Sequence, residues 1–462
     1  MPQAGNDRTT IAAISSPPGA GGIGIIRISG PEALAMMQRV FRPADRHCSY
    51  TSHRLYYGKI VEPSSERFLD EVLAVYMAAP RTYTREDVVE IHAHGGHLVL
   101  QSILELLLAG GAHLAQPGEF TKRAFLNGRI DLTRAEAVID ILSARTRKGV
   151  DLALEQMSGT LYRRVDAMRA SLVRLRALLE VAIDFPEEDV EIVDRPALIQ
   201  QLDADVLQPL HSLITSSTQG RILREGALVV IVGLPNVGKS SLLNTLLQQE
   251  RALVTAVPGT TRDTIEEYVD IGGLPIRLVD TAGIRDDAGE IERLGIQRAR
   301  DSINRADLVL FVIDGSREVS VEDRSLFRTV VHKPLLTVIN KSDLPQRLDR
   351  HSEESICADS LTISALNHDG LANLKQQIFD RITGGREQWQ EEGCAPNLRQ
   401  NVALQQAERS LLMVRQGLED GLSSDLIAID LLDGLNHLGE IVGETTTEDM
   451  LDVIFNQFCL GK

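Results

Sequence analysis

The sequence predicts a multidomain α/β protein. An α+β domain comes first, followed by a helical domain carrying an inserted P-loop domain whose sheet is mostly parallel. Three observations predict it. Residues 221–384 alternate short apolar runs, "ALVVIVG", "PIRLVDTAG", "DLVLFVIDGS" and "PLLTVINKSD", with amphipathic stretches, the texture of parallel strands buried on both faces. Apolar residues at helical spacing flank that block on both sides. The first 120 or so residues instead mix short β-type runs with glycine- and proline-rich turns. A chain of 462 residues is long enough for two or three such cores.

In the first domain, expected over residues 1–124, "TIAAISSPPGAGGIGIIRISG", "RLYYGKIVEP", "LDEVLAVYMAAP" and "DVVEIHAHGG" read as strands. "HLVLQSILELLLAGG" reads as a helix stopped by glycines. Helical texture is expected over 125–220. There Val150, Leu154, Met157, Leu161, Val165, Met168, Leu172, Leu175 and Leu179 recur every three or four residues, one apolar stripe on one long helix. "DFPEEDVEIVD" ends it with a proline and an acidic run. After the α/β block at 221–384, "RITGGREQWQEEGCAP" reads as a linker, and helical texture resumes over 385–462. One helical domain interrupted by the α/β block is the economical reading; two separate helical pieces are the alternative.

Composition narrows the class. Apolar residues make up 43% of the chain and charged residues 24%, an ordinary globular balance. No run of about 18 uncharged apolar residues occurs, so no membrane span is expected. The opening "MPQAGNDRTT" has neither the basic stretch nor the apolar core of a secretory signal. Cys48, Cys357, Cys394 and Cys459 lie far apart without a C-x-x-C pair. That points away from a disulfide framework or zinc site and toward a reducing cytoplasm. The net charge of −17 argues against indiscriminate nucleic-acid binding but leaves room for a local basic patch.

"GLPNVGKSS", from Gly233 to Ser241, fits G-x-x-x-x-G-K-[ST] between an apolar strand and a helical run. In such a loop the backbone N–H groups around Asn236, Val237, Gly238 and Ser241 point at phosphate oxygens, Lys239 offsets the β/γ charge and the Ser240 hydroxyl ligates Mg²⁺. "DTAG" (Asp280, Thr281, Ala282, Gly283) ends the next strand, where an Asp can hold a Mg²⁺ water and a backbone N–H can sense the γ-phosphate. "NKSD" (Asn340, Lys341, Ser342, Asp343) ends a later strand. An Asp there accepts from N1–H and the 2-amino group of guanine, and would be left unpaired by adenine. Ser364 and Ala365, after the last strand, place a backbone N–H for O6. This order of motifs resembles the translation-factor class of GTPases.

Two details separate it from signalling switches. Ile284 follows "DTAG", so the water-orienting Gln of Ras-like proteins is absent. The loop "TAVPGTTRDT" (Thr255 to Thr264) carries adjacent threonines. Thr261 can reach Mg²⁺, while Thr260 and the Asn236 side chain can help cage a K⁺ that supplies the charge of an arginine finger. Asn236 as a simple turn residue is the alternative.

With these residues in place the chain closely resembles the bacterial tRNA-modification GTPase family MnmE, also called TrmE. The resemblance covers essentially the whole length. "PPGAGGIGIIRISG", "YTREDVVEIHAHGG", "PGEFTKRAFLNGRIDLTRAEAVIDIL", "GLPNVGKSSLLN", "PGTTRDT", "DTAGIR" and the terminal "FCLGK" carry it. It implies an N-terminal tetrahydrofolate-binding domain that dimerises, and a GTPase domain inserted in the helical one. It also implies a complex with a flavoprotein, MnmG (GidA), that carries FAD. Together these install an aminomethyl or carboxymethylaminomethyl group at C5 of the wobble uridine (U34) of certain tRNAs. The one-carbon unit comes from a tetrahydrofolate derivative (5-formyl or 5,10-methylene), and GTP hydrolysis is K⁺-stimulated.

Residue by residue, the resemblance implies Asn236, Thr255, the Val257 carbonyl and Thr260 as K⁺ ligands, with Ala256, Pro258 and Gly259 completing that nucleotide-contacting loop. Ser240 and Thr261 match the Mg²⁺ ligands. Glu292, in "EIER", matches a glutamate that positions the hydrolytic water. Arg27, Glu90, Arg129 and Lys462 match folate contacts. Their chemistry suits the ligand, since a carboxylate accepts from the pterin amide edge and guanidiniums meet carboxylate or formyl oxygens. His92, His94 and His97 lack an acid or Cys at metal-binding spacing.

The alternative is a ribosome- or RNA-assembly GTPase without modification chemistry, but the tail "LDVIFNQFCLGK" is not the basic appendage that class often carries. A membrane-associated switch is a third option. The cysteine of "FCLGK" does not fit a prenylation box, which wants aliphatic residues after Cys. It is either a packing residue or a reactive thiol whose thiolate the Lys462 ammonium favours. On the second reading Cys459 is catalytic.

Overall fold

A computed structural model describes residues 9–19, 21–45, 47–184, 194–249, 267–280, 300–349, 353–385 and 394–461. The chain forms two compact units. One contains Met1–Ile139, Met157–Pro209 and Ala403–Lys462; the other contains Asp140–Gln156 and Leu210–Val402.

The first unit is built on a seven-stranded sheet, β1 (Ile11–Ile14), β2 (Gly21–Ser29), β3 (Phe41–Pro43), β4 (Arg54–Val61), β5 (Phe68–Met77), β6 (Val88–Gly95) and β7 (His113–Leu114), in the order β3-β4-β5-β6-β2-β1-β7. Neighbours pair antiparallel except β1 and β7, which are parallel. Alternation decides which face is buried. In β4, "RLYYGKIV", Tyr56, Gly58 and Ile60 point inward and Leu55, Tyr57 and Lys59 outward. The helices Ala33–Val40 and His97–Ala109 cover the inner face, where Met37, Phe41, Ile91, Ile103 and Leu107 form the core.

The same unit holds the helix Thr160–Asp184, which buries Leu161, Val165, Met168, Leu172, Leu175 and Leu179 and packs along Ser424–Val442. The single long helix expected from Val150 onward is corrected here. The chain forms two helices, Arg147–Met157 and Thr160–Asp184, separated at Ser158–Gly159. Gly159 adopts φ +87°, a left-handed turn that ends a helix and that L side chains resist. The shorter helix buries Gly149, Ala153 and Gln156, while Leu154 and Met157 stand 51% and 43% exposed. Near its end the chain folds into Glu448–Phe455, and Leu451, Ile454, Phe455 and Phe458 pack on Leu132, Ala135 and Val138.

The second unit has a six-stranded sheet, β8 (Ala227–Val232), β9 (Glu267–Ile271), β10 (Leu274–Asp280), β11 (Leu308–Asp314), β12 (Leu335–Asn340) and β13 (Ser360–Thr362), in the order β13-β12-β11-β8-β10-β9. All pairs are parallel except β9 with β10. Every residue of β8 and β11 is buried, as expected for central strands sandwiched between two apolar layers. The segment Asp140–Gln156 belongs to this unit: Leu152 packs against its core, and the Arg145 guanidinium lies 3.8 Å from the Tyr268 ring centroid. Among the described residues no helix is long and apolar enough to cross a membrane.

Candidate functional site

In the second unit the phosphate loop connects β8 to the helix Lys239–Gln249. Gly238 takes φ +97°, and a Cβ there would lie 2.2 Å from Asn340 Nδ2, so only glycine lets the strand-β12 loop come this close. Asn236 is also left-handed, φ +65°, with an exposed side chain. The Lys239 ammonium donates to the Leu234 carbonyl at 2.9 Å, within its own loop.

The sequence motifs meet around this loop. Asn340 is buried; its Nδ2 donates to the Val237 carbonyl at 2.9 Å and its Oδ1 accepts the Ala365 N–H at 3.0 Å. One amide thereby joins the phosphate loop, "NKSD" and "SAL". The Ser364 hydroxyl donates to Asp343 Oδ1 at 2.5 Å, a second tie between "NKSD" and "SAL". The Ser240 hydroxyl donates to Asp280 Oδ2 at 2.9 Å. A hydroxyl beside a carboxylate at a strand end is a hard oxygen donor pair that fits Mg²⁺. Ser241 is held through its carbonyl, which accepts the Thr245 hydroxyl at 2.8 Å. Thr255, Ala256, Val257, Pro258, Gly259, Thr260, Thr261, Thr281, Ala282, Gly283 and Glu292 lie outside the described residues.

Two groups here escape sequence reasoning. Thr245 Oγ1 also donates to the Ala365 carbonyl at 3.0 Å. Asp314 accepts the Lys341 ammonium at 2.6 Å. Burial pushes its carboxyl up, but hydrogen bonds from Lys341 and Ser316 outweigh this and hold it below the usual carboxylate range. Asp314 pairs with Asn340 in the β11–β12 register, a relationship no local spacing reveals.

The first unit gathers the second set of expected residues. Arg27 on β2 sits opposite Glu90 on β6, with Nη2 and Nε at 2.7 and 2.9 Å from Oε1. Glu90 Oε2 lies 3.5 Å from His92 Nε2. The Arg129 guanidinium stands 4.6 Å from the Tyr83 ring centroid and donates to the Tyr83 carbonyl at 2.9 Å, while Arg27 lies 5.7 Å from the same ring. Tyr83, within the "YTREDVVEIHAHGG" stretch already singled out, is therefore the residue that brings the two arginines together. The C-terminal tail closes on this corner. The Gly461 carbonyl accepts the Ser15 hydroxyl at 2.9 Å and stands 3.5 Å from Arg27 Nη1. The Cys459 carbonyl accepts the Gly118 N–H at 3.5 Å, and its residue is exposed. Lys462 lies outside the described residues. Among the described residues no cluster of three His, Cys, Asp or Glu is arranged to hold a metal.

Comparison with known proteins bears on the whole chain. The MnmE helical domain family matches residues 132–459, and the family described as GTP-binding protein TrmE N-terminus matches residues 10–129. The tRNA modification GTPase MnmE of Desulfotalea psychrophila is 56% identical, covering 99% of each chain. The chain belongs to the tRNA modification GTPase MnmE family. Members from Geobacter sulfurreducens and Natranaerobius thermophilus are 47% and 44% identical over 98% of this chain and 99% of theirs. The matched residues include both the phosphate loop and the Arg27–Glu90 pair.

Proposed function

We propose that this member of the family hydrolyses GTP with Mg²⁺ and K⁺. With a flavoprotein partner of the MnmG (GidA) type, it adds an aminomethyl or carboxymethylaminomethyl group to C5 of the wobble uridine U34 of certain tRNAs in the cytoplasm. A tetrahydrofolate derivative (5-formyl or 5,10-methylene) supplies the one-carbon unit, and FAD on the partner handles the redox chemistry.

The observation that carries the reading is the docking of the tail through Gly461, whose carbonyl meets Ser15 and Arg27, the partner of Glu90. A GTPase without modification chemistry has no use for a C-terminal tail held against a paired Arg and Glu, with an exposed cysteine two residues before the contact. Glu90 accepts from the amide-like edge of the pterin, Arg27 and Arg129 meet the carboxylate or formyl oxygens of the folate, and Lys462 is a further folate contact. Cys459 serves as a reactive thiol in the modification.

In the GTPase region Lys239 leaves the Leu234 carbonyl to meet the β/γ-phosphates, and Ser240 and Thr261 hold Mg²⁺ with Asp280 on its water. Asn236, Thr255, Thr260 and the Val257 carbonyl cage K⁺, and Glu292 positions the attacking water. Asp343 reads the guanine edge, and the Ser364–Leu366 turn, whose Ala365 N–H is taken by Asn340 Oδ1, supplies another backbone N–H to O6. The functional divisions are 1–124 for folate and dimerisation, 125–220 and 385–462 for the helical domain, and 221–384 for GTP.

The homodimer reading rests on the open face of the first sheet. The facing positions Tyr57, Leu73, His92 and Ile25 form one row across it, and Arg27 and Glu90 lie in the next. Tyr57 and Ile23 on that face are 54% and 70% exposed, an apolar surface suited to a second copy.

Reconstitution tests the proposal. Purified chain, partner flavoprotein, folate, GTP and tRNA should yield the modified wobble uridine, read by mass spectrometry of digested tRNA. Unmodified uridine with active GTP hydrolysis would favour the assembly-GTPase reading instead.

A further inference from the structure

Asp314 has no role in the reaction described above, yet it is 9% exposed and sits at the C-terminal end of β11, beside the nucleotide loops. Its two oxygens have distinct partners. Oδ1 accepts the Ser316 N–H at 2.9 Å and the Ser316 hydroxyl at 2.6 Å; Oδ2 accepts the Lys341 ammonium at 2.6 Å. Ser316 thus fixes the carboxylate, and the carboxylate fixes the lysine.

Lys341 is the residue that needs fixing. Its backbone is left-handed, φ +67°, a region that long side chains resist. It stands between Asn340, which ties the phosphate loop to Ala365, and Asp343, which meets the Ser364 hydroxyl. The Lys341 carbonyl accepts from Gln346 Nε2 at 2.9 Å, and Gly315 N–H donates to the Asn340 carbonyl at 2.9 Å, so the turns after β11 and β12 brace each other. With its ammonium anchored on Asp314, the four-carbon stem of Lys341 is held at both ends and offers an apolar edge to the plane of a base.

We propose that Asp314 is a positioning residue of the guanine-nucleotide site, holding Lys341 so that its stem and the Asn340–Asp343 loop receive the base. The inference rests on the reading of Asn340–Asp343 as the guanine-recognising loop. It places the effect of Asp314 on the base and ribose, which GTP and GDP share, and away from the phosphates and the metal.

The test is nucleotide affinity and turnover of the full chain with Asp314→Asn, which keeps the shape and removes the charge. Both GTP and GDP should bind about tenfold more weakly, in equal measure, while kcat at saturating GTP stays within twofold and Asp314→Glu recovers part of the loss. A purely structural role would change the fraction folded without moving the affinity of the folded protein. Lys341→Met keeps the stem and deletes the ammonium, so Asp314→Asn should add nothing in that background. Unchanged affinity, a loss confined to GTP, or additive effects of the two substitutions would overturn the proposal. Asp343→Asn is the control for the underlying reading. It should move preference from guanine to xanthine nucleotides, because an amide can donate to the xanthine 2-oxygen. If it does not, the guanine-loop reading itself fails; if it does and Asp314→Asn is silent, only the role of Asp314 fails.

Discussion

The Ser15 hydroxyl donates to the Gly461 carbonyl at 2.9 Å, joining residues 446 positions apart. Gly461 can accept that bond because its backbone is left-handed, φ +86°, and lies against β1; a Cβ would stand 2.4 Å from the Ile14 carbonyl oxygen. Gly461→Ala therefore meets both a backbone penalty of about 1–2 kcal/mol and a steric clash, and the tail is expected to leave its seat. Wobble-uridine modification should fall at least tenfold while GTP hydrolysis stays within twofold, measured on one preparation by tRNA mass spectrometry and phosphate release. Wild-type modification by this variant would show that tail docking is dispensable.

Cys459 and its neighbour Phe458 divide two roles that the tail sequence leaves mixed. Phe458 is buried beside Phe455, with ring centroids 5.4 Å apart, whereas Cys459 is exposed. Packing thus belongs to the phenylalanine. Phe458→Ala should destabilise the first unit by roughly 3–5 kcal/mol. Cys459→Ser should change stability by less than about 0.5 kcal/mol, keep GTP hydrolysis and abolish modification. Chemical denaturation separates the two variants, and full modification by the serine variant would remove the thiol from the chemistry.

Asn236 combines a left-handed backbone with an exposed amide in the phosphate loop. A turn role and a cation role predict different outcomes for Asn236→Gly, which keeps the turn and loses the amide oxygen. If the amide ligates K⁺, hydrolysis in K⁺ should fall toward the slower rate in Na⁺. Retained K⁺ stimulation in the glycine variant would leave Asn236 as a turn residue only.

Local signals made much of this molecule legible. The continuous apolar runs of β8 and β11 announced buried parallel strands. The phosphate loop was legible because its chemistry is compressed into nine residues. Long-range relations were not. Counting apolar positions carried the stripe straight through Ser158–Gly159, because periodicity does not register a left-handed glycine. The pairing of Arg27 with Glu90 depends on the β2–β6 register, and Arg129 meets Arg27 only through the Tyr83 ring. Folate contacts at these positions came from family resemblance, since no spacing in the chain connects them. The grip of Asp314 on Lys341 likewise follows from adjacent strand ends.

That grip carries a pH signature. The Asp314 carboxyl is held below its ordinary range in the folded chain, since the bonds from Lys341 and Ser316 outweigh its burial. A depressed carboxylate stabilises the fold above its unfolded pKa and loses that contribution as pH falls through the folded value. At pH 7 and pH 5 wild type should therefore exceed Asp314→Asn by the same margin, roughly 1.5–3 kcal/mol for a charged hydrogen-bonded group. Below about pH 4, the ordinary aspartate range, the margin should shrink. Urea midpoints of both proteins at pH 7, 5 and 3.5 check this, because titrations elsewhere in the chain cancel in the difference. A margin that widens in acid would mean that the carboxylate is not held by Lys341 in the folded protein.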